Sequence, residues 1–117
     1  MQNFSICQER LGPIRDVLDM IGSKWKLDII IAIGCGIHRF NKLERQIEGI
    51  TPRMLSKELK DLELNRLVRR EKISPDSNII KYTLTEHGWS LQSMLKVMFN
   101  WGIEYRKKIM VKEVVKR

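Results

Sequence analysis

Between Thr51 and Leu62 the sequence specifies a single helix with two opposed faces. Thr51 is a side chain that caps helices, and Pro52 suits the first helical position, where its φ is already fixed and no N–H is needed. At roughly 100° of turn per residue, Leu55, Leu59 and Leu62 fall within about 60° of one another, while Arg53, Lys57 and Lys60 gather over a similar arc on the other side. The leucine stripe must be buried, and the cationic stripe must face water or an anion. Taken alone, a solvated amphipathic helix is the simplest account, because Lys and Arg usually lie outside. The next segment narrows the choice. From Val68 to Ile73 and from Ile79 to Leu84 apolar and polar residues alternate, and Pro75-Asp-Ser-Asn between them is turn chemistry, so a β-hairpin follows the helix. Two helices joined by a tight connection and followed by such a hairpin form the layout of a winged helix-turn-helix.

The rest of the chain fits that layout. Pro13 opens a first helix carrying Ile14, Val17, Leu18 and Ile21, and Gly22 ends it. Ser23 is positioned to cap a second helix that runs through Trp25 and the isoleucines at 29, 30, 31 and 33 to Gly34. Those isoleucines would also suit a strand, but the polar lead-in before them favours a helix. Gly36 to Phe40 has extended character. Asn41 then offers a cap to a third helix over Lys42–Ile47, closed by Gly49. Thr85 caps a long last helix bearing Trp89, Leu91, Leu95, Met98, Phe99, Trp101 and Ile103, followed by a basic tail from Arg106 to Arg117. The expected fold class is mainly α with a small β-hairpin, in one domain over residues 1–117.

Composition limits the function. A chain of 117 residues with 43% hydrophobic content can bury one core, and 22 Lys plus Arg against 14 Asp plus Glu leave a formal charge of +8, which calls for an anionic partner. Two cysteines are too few for a disulfide scaffold and fit a reducing cytoplasm. No start resembling an export signal is present, and the apolar run Ile29–Ile33 is far shorter than the roughly 18 residues of a membrane span, so neither export nor a membrane partner is expected. His38 and His87 do not stand at metal-ligand spacing, and no nucleophile elbow, phosphate loop or HExxH motif occurs. No catalysis, metal or cofactor is therefore expected. Cys35 reads as a small buried hydrophobe. Cys7 reads as an ordinary thiol, with a redox- or electrophile-responsive role, promoted by Arg10, as the alternative.

Double-stranded DNA is the anion that the pattern suits. A helix about 10–12 Å wide fits the major groove, where Arg53, Lys57 and Lys60 can reach phosphates or the O6/N7 edge of guanine, with Ser56 beside them. On the hairpin, Arg69, Arg70, Lys72 and Lys81 supply charge, but alternation sends Arg69 and Arg70 to opposite faces, so at least one is a solubilising charge. DNA contacts are expected instead at the tip, Ser77 and Asn78, and at Lys81. A non-specific basic nucleic-acid module is the rival, but it would need an exposed aromatic run for unpaired bases, and most aromatics here fall on apolar faces. The last helix carries more apolar surface than a small core can cover. Leu95, Met98, Phe99 and Trp101 are accordingly assigned to a homodimer contact, against the simpler alternative of packing within the chain.

Five linked segments make the pattern specific: Gly22-Ser-Lys-Trp, Arg39-Phe-Asn-Lys-Leu, Gly49-Ile-Thr-Pro-Arg-Met-Leu-Ser-Lys-Glu-Leu-Lys-Asp-Leu-Glu, Tyr82-Thr-Leu-Thr-Glu-His-Gly and Trp101-Gly. In order and spacing, from about Pro13 to Gly102, the chain resembles the HxlR-type transcriptional regulators. The resemblance implies a dimeric winged-helix repressor or activator that recognises a near-palindromic operator. Regulation of such a dimer is expected from anything that changes the separation of its two recognition helices, an unidentified small ligand at the dimer interface or a modified thiol. It implies that Thr51, Pro52, Arg53, Ser56, Lys57 and Lys60 belong to the recognition helix, and Asn41 and Lys42 to the start of the supporting helix. Lys24 and Trp25 match the family's Gly-Gly-Lys-Trp signature, with Ser23 in place of one glycine. Lys24 would either approach the DNA backbone or help to seat Trp25. One departure stands out: many members carry a cysteine directly before the proline of the first helix, and this chain has Gly12 there.

Overall fold

The structure, a computed structural model, describes residues 11–116, with side chains through residue 110; Cys7 and Arg10 lie outside the described residues. Six helices and one hairpin follow in the order α1 (Leu11–Ile21), α2 (Lys26–Gly34), α3 (Phe40–Gln46), α4 (Pro52–Leu64), β1 (Val68–Lys72), β2 (Ile80–Leu84), α5 (Glu86–Ser90) and α6 (Gln92–Lys116). The mainly helical winged helix-turn-helix expected from the sequence is what the chain forms.

Isoleucines from α2 and leucines from α4 make the centre. Ile29, Ile30 and Ile33 pack with Leu55, Leu59 and Leu62, and Leu43, Leu67, Val68 and Leu84 close the core around them. β1 and β2 pair antiparallel with Val68 opposite Leu84 and Lys72 opposite Ile80. The extended segment before α3 adds one rung to this ribbon: the Tyr82 amide donates to the His38 carbonyl at 2.8 Å, and His38 Nδ1 donates to the Tyr82 carbonyl at 2.9 Å. The wing is thereby tied to the helical body.

Local chemistry explains where the elements begin and end. Thr51 caps α4 as expected, its hydroxyl accepting from the Met54 amide at 3.2 Å with Pro52 at the first turn. At its other end α4 closes in a Schellman arrangement, with Leu67 N bonding to Leu62 O and Arg66 N to Glu63 O, both at 3.0 Å. Arg66 takes the left-handed conformation there, with φ 61°. Ser23 accepts from the Lys26 amide at 3.2 Å, but the intervening residues form a turn, so regular helix starts at Lys26. Asn41 is not a cap. α3 starts at Phe40, because the His38 rung fixes the extended backbone that ends at Arg39, and Asn41 falls inside the first turn.

The single long C-terminal helix expected after Thr85 is instead two helices. Thr85 caps only α5, accepting from the Gly88 amide at 3.1 Å, and the chain turns at Leu91, whose amide bonds back to the Gly88 carbonyl. This bend lets Leu91, Met94 and Leu95 lie against the core. Cys35 also departs from expectation: it is exposed, because it closes α2 on the same side as the exposed Ile31.

Gly88 is fixed by contact. A Cβ at this position would run into the Leu67 carbonyl oxygen, which lies at the junction between α4 and β1. Around Gly12, by contrast, a Cβ would meet nothing. Gly88→Ala should therefore cost about 1–3 kcal/mol, as overpacking does. Gly12→Ala should leave stability unchanged or raised. Urea unfolding midpoints of the two variants check this, and equal midpoints would contradict it.

Candidate nucleic-acid interface

The recognition helix is held on its inner side by both leucines and charges. Glu58 is 8% exposed, flanked on the apolar stripe by Leu55 and Leu62, and accepts a hydrogen bond from Ser23 Oγ at 2.5 Å. One turn further on, Asp61 pairs at 3.8 Å with the buried Lys26 at the start of α2. Two polar ties thus fasten α4 to the turn between α1 and α2 and set its rotation about its own axis. A buried carboxylate with no partner would cost several kcal/mol, so the Ser23 hydroxyl is required here. Sequence reasoning missed Glu58 because it treated charge as a mark of the outer face. The signal was its spacing, three residues after Leu55 and four before Leu62.

With the inner face held, Arg53, Ser56, Lys57 and Lys60 are all exposed on the outer one, and Thr51 and Pro52 lie exposed at its N-terminal end. Asn41 and Lys42 are exposed in the first turn of α3. Gly49 turns the chain from α3 into α4 with φ +88°, and a Cβ there would meet the Trp25 ring at 3.5 Å, so the turn rests on that ring. Lys24 lays its ammonium over the same ring, 4.7 Å from the centroid. Of the two roles open to Lys24, seating Trp25 is the one with a contact in the structure.

On the wing the expected residues Ser77, Asn78 and Lys81 are not equally free. Lys81 faces Glu71 across the ladder and pairs with it at 3.7 Å, so part of its charge is already matched. Ser77 is a turn residue first, its hydroxyl accepting from the Ile79 amide at 3.0 Å, whereas Asn78 is exposed at the tip. Arg70 is not among the DNA contacts expected from the sequence. It stands opposite Tyr82 and opens into a cleft of about 290 Å³ shared with Ser56, Lys60 and Glu63 of α4. Strand parity held the signal, because Arg70 shares a face with the buried Val68, which looks toward α4.

The four residues assigned to a dimer contact do not share one face. Leu95 is half-buried against the chain's own core. Phe99 turns into a groove beside α2 and α5. Met98 and Trp101 stay exposed, and Trp101, at 67% exposure, stacks on Tyr105 with ring centroids 5.2 Å apart. On α1, Leu11, Ile14 and Leu18 form a second exposed apolar stripe at helical spacing. Among the described residues no three His, Cys, Asp or Glu side chains gather as a metal would need, and no helix is long and apolar enough to cross a membrane.

The chain is similar in sequence and in fold to known proteins. The HTH-type transcriptional regulator YdzF of Bacillus subtilis is 34% identical over 100 residues, covering 85% of this chain and 92% of its own. A solved structure of a transcriptional regulator of the MarR family from Enterococcus faecalis superposes with a TM-score of 0.78 at 30% identity, covering 91% of this chain and 96% of that one. The redox regulator HypR in its reduced form superposes with a TM-score of 0.74 at 34% identity, covering 85% of this chain and 97% of that one. The sequence profile of the HxlR-like helix-turn-helix family matches residues 20–110. The chain therefore belongs to the HxlR-like helix-turn-helix family and is a transcriptional regulator of winged-helix architecture.

Proposed function

We propose that the protein binds an inverted-repeat operator in double-stranded DNA as a homodimer in the cytoplasm, with α4 of each copy in a major groove and the wing beside it. The observation that carries this reading is the outward cationic stripe of α4. Arg53, Lys57 and Lys60 are exposed on a helix whose rotation is fixed by the Glu58 and Asp61 ties. A stripe held in that way meets base edges at a defined angle, as sequence reading requires, whereas freely rotating charges supply only salt-dependent attraction. Arg53 and Ser56 are assigned to base edges, and Lys57, Lys60, Asn41 and Lys42 to phosphates. Arg70 is added as a wing contact to the backbone, in place of the ion-paired Lys81.

The dimer rests on the apolar surface left uncovered. Met98, Tyr105 and Ile109 continue along α6 the same stripe by which Met94 packs on the core, and the α1 stripe at Leu11, Ile14 and Leu18 is likewise exposed. A second copy covers both at once, and a two-fold axis then gives the operator its symmetry.

Arg53→Ala should weaken binding to a DNA site selected from random sequence by about 1–3 kcal/mol and relax the preference at one base pair. Arg70→Ala should weaken all sequences alike and make the slope of log K against log salt shallower by about 1. Titrations of selected and scrambled duplexes at several salt concentrations separate the two, and an Arg53 effect uniform over every sequence would contradict base reading. Met98→Glu should convert a dimer into a monomer in sedimentation equilibrium and lower affinity for the two-site operator by at least about tenfold, while single half-sites bind as before. A persistent dimer would place the interface elsewhere.

A further inference from the structure

The recognition helix ends on an apolar side chain that the core does not use. Leu64 is the last residue of α4 and is 71% exposed, more than any other large apolar side chain among the described residues. A single leucine at a surface is ordinary and by itself calls for no explanation. Its place on the helix is what matters. Arg53, Lys57, Lys60 and Leu64 stand at i, i+4, i+7 and i+11, so at roughly 100° per residue they form one row within an arc of about 60°, with Leu64 pointing between Arg53 and Lys57. The buried Leu55, Leu59 and Leu62 lie on the far side of the helix. Leu64 is thus the fourth member of the row assigned to the major groove, and its one uncharged member.

We propose that Leu64 packs on the C5-methyl group of a thymine in the operator and so fixes a T·A pair at that position; the proposal rests on α4 lying in the major groove. The base edges in that groove offer hydrogen-bond donors and acceptors, and thymine alone adds an apolar group. The cations of the row are matched by phosphates and guanine. A leucine set against those same polar atoms would strip them of water and give no hydrogen bond in return. Against a methyl group it removes apolar surface from water on both sides, which is favourable. From Arg53 to Leu64 the helix rises about 17 Å, the length of about five base pairs, so the thymine lies within that distance of the base pair read by Arg53.

The end of α4 holds this side chain in place. The backbone amide and the side-chain amide of Asn65 both donate to the Asp61 carbonyl at 3.0 Å, and the Arg66 amide donates to the Glu63 carbonyl, so Leu64 sits in a closed last turn. Asp61 is in turn paired with Lys26 of α2. A leucine also loses less rotamer freedom on contact than the lysines in its row. Its contact therefore adds preference for one base, whereas lysines that reach phosphates attract every sequence alike.

Duplexes carrying the site selected from random sequence, with the thymines replaced one at a time by deoxyuridine, test this by removing a single methyl group in each. At one thymine in each half-site the replacement should weaken binding by the full chain about fourfold, as the loss of one buried methyl group implies. Leu64→Ala should weaken the thymine duplex by at least as much and erase the difference between thymine and uracil at that position. Arg53→Ala should leave that difference in place. The side chain is exposed, so Leu64→Ala should keep the parent's circular dichroism spectrum. If no thymine replacement matters, or if Leu64→Ala leaves every difference between thymine and uracil unaltered, the proposal is overturned; α4 stays in the groove as long as the base preference lost in Arg53→Ala is seen on the same duplexes. Equal weakening of thymine and uracil duplexes by Leu64→Ala would also overturn it and give the side chain to the sugar wall of the groove. A chain that selects no site at all would remove the proposal together with the DNA reading.

Discussion

The rotation of α4 about its own axis depends on Glu58. Three leucines on that helix would hold it against the core over a range of small rotations, since apolar contact is non-directional. A buried carboxylate is not so tolerant: it must keep its hydrogen bond to Ser23 or lose several kcal/mol of solvation without compensation. The Lys26 to Asp61 pair repeats the constraint one turn further along. Together these ties transmit the position of the α1–α2 turn to the side chains on the far side of α4. That turn is itself packed, with Trp25 under Gly49 and Lys24 over Trp25. A chain with an overall charge of +8 attracts any polyanion, but only a helix held at a fixed angle can present the same side chains to the same base edges each time.

The winged half of the molecule and the two outer helices face different demands. The body around α2, α3, α4 and the hairpin is closed by its own core, and among the described residues no buried side-chain N or O atom lacks a hydrogen-bond partner. α1 and α6 are not closed in this way, because both carry exposed apolar side chains along much of their length. The division suits a protein in which one part reads and the other part joins copies and carries a signal. The Leu91 bend lies at the boundary and aims α6 independently of the short helix that anchors the wing.

Where neighbouring residues decide the structure, the sequence was legible. Thr51 and Pro52 start α4 by local chemistry, and Pro75 to Asn78 turn the hairpin for the same reason. Features decided by distant partners were hidden. Asn41 has the chemistry of a cap, but the His38 rung to Tyr82 moves the start of α3 one residue ahead of it. Cys35 sits on a helix apolar all round, and periodicity cannot say which side of such a helix faces out. Leu95, Met98, Phe99 and Trp101 share a composition but not a direction, and it is the packing of Met94 and Leu95 on the core that shows which way α6 is turned. Among the candidate DNA contacts, those on α4 needed only helical spacing. Those on the wing needed the ladder register, which pairs Lys81 with Glu71 and leaves Arg70 beside Ser56 and Lys60.

In the proposed complex two copies present their α4 helices to successive major grooves on one side of a duplex. Hydroxyl-radical footprinting of the protein on DNA from upstream of its own coding sequence tests this most directly. Two protected patches related by a dyad are expected, with centres about 34 Å or a whole multiple of that apart. A single asymmetric patch, or faint even protection along the whole fragment, would contradict it.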